Sequence, residues 1–316
     1  MDRLLYFVAL GLIRFLQVLP LRWVARIGRC GGGLAYRLDA RHRHVALQNL
    51  ILCFGAEKSA EEIRALAREN FKRIGESYGC AIKTAAMSHK EIRRHFELFG
   101  AEKMLARQAQ NPRQNWVMAI GHFGNFELYA RLGQFASAFR GATTYRGLKQ
   151  ASLNRLMQSL RQRSGCLFFE RRSEGAALKA LLNDGKGLVL GLLVDQHAGS
   201  GGLWVPFFGH ECSTSTSPAV YALRYKCVLN SGVIYRAGLA RWRMDVGDEI
   251  PTHENGQPRS VEAITRDINR ALEAAIRRDP ANWFWVHKRW KPKPQKTPSS
   301  PKAEPESGLK PVQDAG

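Results

Sequence analysis

The sequence predicts an α/β fold, a mixed central sheet flanked by helices, with a hydrophobic membrane-anchoring helix at the amino terminus. Three stretches carry this expectation. Residues 116–120 (WVMAI) form a short apolar run that stops at the glycine turn Gly121-His122-Phe123-Gly124, and Asn125 is placed to cap a helix continuing through Leu128, Leu132, Phe135 and Phe139. Residues 187–194 (GLVLGLLV) are continuously apolar, as suits a central strand buried on both faces. Residues 228–235 give a further strand, and Val261, Ile264, Ile268, Leu272 and Ile276 then mark the inner stripe of a helix ending near Asp279-Pro280.

From the amino terminus, residues 4–21 (LLYFVALGLIRFLQVLPL) are apolar except for Arg14 and Gln17. A spanning helix needs about 20 apolar residues, and an arginine near its middle costs about 2.5–3.5 kcal/mol. The segment therefore reads as a spanning helix relieved by snorkelling, or as an anchor lying in the interface; a buried core helix is the bland alternative. Arg22, Arg26, Arg29, Arg37, Arg41 and Arg43 follow it and place the body on the cytoplasmic side. Residues 1–30 are thus assigned as the anchor and 31–291 as one folded domain. Residues 292–316 are assigned as a disordered tail, since six of the chain's 13 prolines lie beyond Lys291.

Residues 40–54 form a basic helix with Val45, Leu47, Leu50 and Ile51 on its inner side. Ser59 and Glu62 make a capping box, after which Ile63, Leu66, Phe71 and Ile74 recur at helical spacing. The formal net charge is +21, and the segment after Trp290 holds five lysines against three acids, so the body itself carries about +19. Such a surface calls for a polyanionic partner, whether nucleic acid, an anionic membrane, a phosphorylated substrate or an acidic carrier protein. The six cysteines show no C-x-x-C spacing, which excludes a zinc site and a disulfide framework and suits reduced, mostly buried thiols. The loop at residues 199–202 lacks the G-x-x-x-x-G-K pattern, which excludes a nucleotide phosphate loop.

The chemistry is expected at His122. It stands at the carboxyl end of a strand beside a helix amino terminus, where open α/β sheets bind ligands and where negative charge is favoured. An imidazole acts as a base near neutral pH only if its other nitrogen is held, and Glu127, five residues on, is a carboxylate placed to hold it. The bland reading is that Glu127 decorates a first helical turn. Between Arg140 and Arg172 lie eight basic residues and one acid, the most one-sided charge in the body. Residues 152–163 within it read as a helix with Leu153, Leu156, Met157 and Leu160 inward, so that some of the arginines are simply its solvated side. Arg171 and Arg172 instead follow the apolar residues 166–169, at a second strand end, where they face an anionic substrate or a developing oxyanion. Asp195 ends the 187–194 strand, placed either to orient His122 or to hold Arg171, or merely to cap a turn. In residues 283–291 (WFWVHKRWK) aromatics alternate with bases, a pattern that suits stacking on single-stranded nucleic acid or seating in lipid headgroups.

In combination these elements are recognisable. The arginine-rich run into Asn49-Leu50-Ile51-Leu52-Cys53-Phe54, Gly121-His122 through Glu127, Arg171, Asp195-Gln196 before Val205-Pro206-Phe207-Phe208-Gly209, and Trp285-Val286-His287-Lys288-Arg289-Trp290-Lys291 occur in order. The chain resembles the late acyltransferases of lipid A biosynthesis, the lauroyl and myristoyl transferases, within the lysophospholipid acyltransferase superfamily. The resemblance covers nearly the whole body and implies a glycerolipid acyltransferase-like fold. It implies transfer of a fatty acyl group from acyl carrier protein, as co-substrate and without cofactor or metal, to a hydroxyl of a phosphorylated lipid A precursor at the cytoplasmic face of the bacterial inner membrane. His122 is then the general base with Glu127 as its partner, Arg171 stabilises the oxyanion or a glycolipid phosphate, and Asp195 is an organiser behind them. Asn125, Arg146, Arg172, Gln196, His287, Lys288 and Arg289 complete the expected set as substrate-binding residues. A thioester is already activated, and no G-x-S-x-G nucleophile motif is present. Two features depart from the family pattern, His197 where an acid is usual and Gly55 where a proline is. Acyl transfer to another glycolipid, such as a phosphatidylinositol mannoside, from acyl-CoA is the alternative. A non-enzymatic basic protein binding membrane or nucleic acid is the remote one. On the lipid A reading the partners are acyl carrier protein, anionic lipids and the glycolipid acceptor, and not nucleic acid.

Overall fold

The computed structural model describes residues 2–136 and 139–293. Most of the expected tail therefore lies outside the described residues. Helices α1 (Asp2–Val18) and α2 (Leu21–Leu38) meet at Leu19-Pro20. The proline supplies no N–H and locks φ, so it divides the apolar run into two helices. No described helix is long and apolar enough to cross a membrane. Leu4, Phe7, Val8, Leu12, Phe15 and Val18 of α1 and Trp23, Ile27, Leu34 and Leu38 of α2 are exposed, while Ile13, Leu16, Leu21 and Val24 point inward.

Helix α3 (Ala40–Phe54) buries Val45, Ala46, Asn49, Leu50, Cys53 and Phe54. Ile51, expected inside, is 57% exposed, because the stripe of α3 turns through Asn49 and Cys53 instead. Helix α4 (Ala60–Ala86) starts at the expected Ser59–Glu62 capping box and runs against α2. At that contact a Cβ on Gly28, Gly32 or Gly75 would collide with the opposite backbone, so the two helices touch main chain to main chain. Buried Glu76 of α4 accepts hydrogen bonds from Arg29 of α2, Arg236 and the N–H of Ala240.

The chain then alternates: α5 (His89–Ile92), β1 (Phe96–Phe99), α6 (Glu102–Gln110), β2 (Trp116–Ile120), a 3-10 segment (Phe126–Arg131), α7 (Leu132–Phe135), β3 (Arg140–Tyr145), α8 (Ala151–Arg161), β4 (Leu167–Glu170), α9 (Gly175–Asn183) and β5 (Leu188–Leu193). A hairpin, β6 (Leu203–Phe207) and β7 (His210–Thr214), precedes α10 (Ser217–Arg224), which carries Pro218 in its first turn, where a missing N–H costs nothing. Strands β8 (Val228–Gly238) and β9 (Arg241–Glu249), the small ladder of β10 (His253–Glu254) and β11 (Gln257–Pro258), and α11 (Val261–Arg278) complete it.

Seven of these strands form one sheet in the order β1-β9-β8-β2-β5-β3-β4, parallel throughout except for the β8–β9 pair. The expected α/β class with a mixed, helix-flanked sheet is thus observed. Alternate side chains feed two cores. Val117, Ala119, Leu188, Leu190 and Leu192 pack towards α9, α10 and α11, and Trp116, Met118, Ile120 and Val189 pack towards α1, α2, α4 and α7. All five residues of β2 are buried, in keeping with the uninterrupted apolar run at 116–120.

Two further expectations differ from the structure. Asn125 makes no capping bond; its amide donates to Thr84 Oγ1, and the chain beyond it forms a 3-10 turn and one short helix that stops at Phe135. Residues 283–291 do not form an exposed aromatic strip, since Trp283 and Trp285 are buried and Phe284 and Trp290 half-buried. Asn70 donates to the carbonyls of Ala281 and Trp283, and Asn49 to those of Trp285 and His287, which draws this strap inward and buries Trp283, Trp285 and Arg289.

Candidate active site

Strand β2 lies between β8 and β5, and the pairing Ile120↔Leu193 brings the carboxyl ends of β2 and β5 side by side. The turn after β2 requires both its glycines. Gly124 has φ +49°, a left-handed conformation that L side chains rarely take. A Cβ on Gly121 would collide with the Phe123 ring and press on the Asp195 carboxyl at 3.2 Å. The tight turn therefore lets Asp195 come under His122.

Asp195 Oδ1 lies 2.8 Å from His122 Nδ1, and Asp195 Oδ2 accepts the main-chain N–H of His122 at 2.8 Å and Trp283 Nε1–H at 2.8 Å. Burial by itself would raise the carboxyl of Asp195. The charge of His122 and the bonds from His122 and Trp283 outweigh burial and hold it at about 2, so Asp195 is ionised at neutral pH. A carboxylate only accepts, so Nδ1 carries a hydrogen, and in the neutral ring Nε2 is the nitrogen left to take up a proton. The Gln196 side-chain nitrogen stands 3.5 Å from that Nε2.

The carboxylate expected to partner His122 is engaged elsewhere. Glu127 accepts from Arg161, Nε at 3.2 Å and Nη2 at 2.8 Å, and the guanidinium lies 5.0 Å from the Phe168 ring centre. The 3-10 geometry after Asn125 directs Glu127 towards α8, whereas the parallel strands direct Asp195 to the ring. Of the three placements open to Asp195, the one observed is against His122, and Arg171 bonds Thr144 instead.

His122 and Glu127 line a cavity of about 770 Å³. Its rim is polar and includes Arg146, Arg161, Arg171 and Gln196, and its floor is apolar, with Met118, Ile120, Leu132, Phe139 and Val189. Arg171 is exposed and donates its Nε to Thr144 Oγ1 at 3.3 Å. Arg172 and Lys288 are exposed and are not among the lining residues, and Asn125 is buried behind the turn.

His287 and Arg289 act from below. His287 Nε2 accepts the N–H of His197, and burial, the largest influence, pulls its imidazole down to about 4, leaving it neutral. Fully buried Arg289 donates to the carbonyls of Gln196 and Ser213 and to Thr214 Oγ1. Both hold the loop that follows Asp195 and take no place in the cavity wall. Sequence reasoning missed Trp283 as a donor to Asp195 and Arg161 as a wall residue. Asn154, Met157, Gln158 and Arg161 recur at i, i+3, i+4 and i+7 and share one face of α8, a signal hidden by reading arginines of this helix as its solvated side.

A buried carboxylate, a histidine with one nitrogen open, and a polar-rimmed, apolar-floored cavity at the carboxyl end of a parallel-dominated sheet define an α/β enzyme equipped to take up a proton beside an apolar substrate group. The model of the bacterial lipid A biosynthesis acyltransferase family matches residues 1–292, and the chain belongs to that family. It is 26% identical over 294 residues to the lipid A biosynthesis palmitoleoyltransferase of Escherichia coli K12, covering 90% of each chain. To the lipid A biosynthesis lauroyltransferase of the same organism it is 28% identical over 306 residues, covering 93% of this chain and 94% of that one. A lipid A biosynthesis acyltransferase of Haemophilus influenzae is 25% identical over 308 residues, with 93% of each chain covered.

Proposed function

We propose that the protein transfers a fatty acyl chain from acyl carrier protein to a hydroxyl of a lipid A precursor, with His122 as general base. The observation that carries this reading is the free Nε2 of His122 at an apolar-floored cavity, Nδ1 being committed to Asp195. The acceptor hydroxyl gives its proton to Nε2 as its oxygen attacks the thioester carbonyl. The tetrahedral oxyanion then expels the carrier thiolate, which takes the proton from the imidazolium. Asp195 stays ionised throughout and steadies the imidazolium. Arg171 and Arg146 bring positive charge to the oxyanion or to glycolipid phosphates, and the Glu127–Arg161 pair shapes the rim between them.

The exposed apolar residues of α1 and α2, set among exposed Arg14, Arg22 and Arg26, suit an anionic bilayer surface. On this reading α1 lies in the interface of the bacterial inner membrane, with the body on the cytoplasmic side, where acidic acyl carrier protein meets the basic rim.

The test supplies purified protein in mixed micelles with an acyl carrier protein thioester and an under-acylated lipid A precursor, and reads product by mass spectrometry. Transfer by the wild type, lost in His122→Ala while thermal unfolding and vesicle binding are unchanged, is the expected result. Near wild-type turnover by His122→Ala would sink the mechanism. Transfer from acyl-CoA in preference to the carrier thioester would sink the donor assignment.

A further inference from the structure

The sheet face under the cavity has two side chains missing. Strand β5 reads Leu188-Val189-Leu190-Gly191-Leu192-Leu193, large and apolar apart from its glycine, and it is hydrogen-bonded on both sides. A glycine inside a strand forfeits packing and backbone order, so it needs a cause. Neither usual cause applies here. Gly191 is not among the residues with positive φ, and a Cβ built on it meets nothing closer than the flexible end of Ile120 at 3.3 Å, with Ala142 O at 3.8 Å. The same holds for Gly141 of β3, whose Cβ would find Cys166 Sγ at 3.7 Å and Cys166 Cβ at 4.0 Å. In contrast with Gly32 and Gly75, where backbone excludes any side chain, the space above Gly191 and Gly141 is the cavity itself.

Strand register shows how the two act together. Gly191 is opposite Met118 on β2 and Thr143 on β3, and Gly141 is opposite Val189. Residues paired across strands share a face, so the glycines are diagonal neighbours on the cavity side of the sheet. They open a trough that starts at the Ile120–Leu193 row, next to His122, and runs back along the strands. Phe139, packed edge-on against Trp116, lines its far end. Carboxyl-terminal chemistry, a floor of strand side chains and absent Cβ atoms thus lie along one line.

We infer that Gly191 and Gly141 determine the length of the acyl chain the protein transfers, by leaving the trough that holds the chain's tail; this rests on the acyl-transfer reading above. Filling the trough shortens the chain that fits, and each methylene that can no longer be buried costs about fourfold in turnover at limiting donor.

The test measures kcat/KM of the wild type, Gly191→Val, Gly191→Ala, Gly141→Val and Phe139→Leu with saturated acyl carrier protein thioesters of graded length. The ratio of long-chain to short-chain kcat/KM is expected to fall in the glycine variants, more for Val than for Ala, and to rise in Phe139→Leu, which enlarges the far end. Gly191→Ala, whose methyl meets only the movable Ile120 side chain, carries the test if Gly191→Val does not fold, as read by thermal unfolding. An unchanged ratio, or an equal loss on every donor, overturns the inference and leaves acyl transfer standing. A wild type that transfers no chain of any length overturns the acyl-transfer reading, and this inference with it.

Discussion

Asp195 holds His122 at two points, Oδ1 on the ring at Nδ1 and Oδ2 on the residue's own main-chain N–H, each at 2.8 Å. The same carboxylate therefore sets both the tautomer of the ring and the shape of the turn that presents it.

Asp195→Asn keeps the volume but brings two donors of its own to a site where two N–H groups and the ring nitrogen already converge. The imidazole then loses its held tautomer. kcat is expected to fall by about 10²–10⁴-fold, with KM little altered. A rise in KM at unchanged kcat would falsify the role given to Asp195.

Glu127 and Arg161 are bidentate partners at the cavity rim, with side chains 26% and 19% exposed. If they work as a pair, losing the second partner adds little to losing the first. Glu127→Ala and Arg161→Ala should each lower turnover, and the double variant should lose about as much as either, a coupling of about 1 kcal/mol or more. Strictly additive losses in kcat/KM reject a shared role.

Arg289 is a buried cation whose side-chain bonds run to two carbonyls and a hydroxyl, and no ion pair to it is found among the described residues. Arg289→Met removes the donor to the half-buried Gln196 carbonyl and to buried Ser213 and Thr214, and since the Ser213 carbonyl keeps the N–H of Ala198 the expected cost is about 1–3 kcal/mol in all. Denaturant titration should show a loss of that order. Arg289→Lys should recover only part of it, because an ammonium cannot reproduce the planar fork. Full stability in the methionine variant contradicts this account of the strap.

His287 gives the fold a pH signature. Its imidazole takes a proton near the ordinary histidine value of about 6.5 when unfolded but resists it down to about 4 when native, chiefly because it is buried, with Lys291, His122 and Arg289 adding to the effect and Asp195 opposing it. Between those values the unfolded state binds more protons, so stability rises with pH across the window and is fully present above it. The thermal midpoint should fall as pH drops from about 6.5 towards 4, and His287→Gln should flatten that slope. An equal slope in both proteins assigns the effect to other groups.

Much of the frame was legible because it is written in short-range periodicity. The five apolar residues of β2, the run at β5, the stripe of α11 and the Ser59–Glu62 cap each declare themselves within a few positions. The partner of His122 does not. Glu127 is five residues away and Asp195 is 73, and only the lateral pairing of β2 with β5 reverses that order of proximity. The strap at residues 283–291 misled for a related reason. Its composition is that of a wet surface, and what sinks it is two asparagine amides on distant helices, Asn49 and Asn70. Arg161 was obscured by its own charge, since a residue that balances Glu127 looks in sequence like one more solvated base.

At the α2–α4 seam, backbone meets backbone at Gly28, Gly32 and Gly75, and Glu76 ties Arg29 of α2 to Arg236 of β8. A helix seated this closely can neither roll nor slide without breaking a buried ionic tie. The greasy side of α1 and α2 therefore keeps a constant bearing on the carboxyl ends of the strands. On the proposed reading, a body perched on lipid by that side would work at one fixed altitude, and the acceptor headgroup would have to rise to His122 rather than the protein bending down to it.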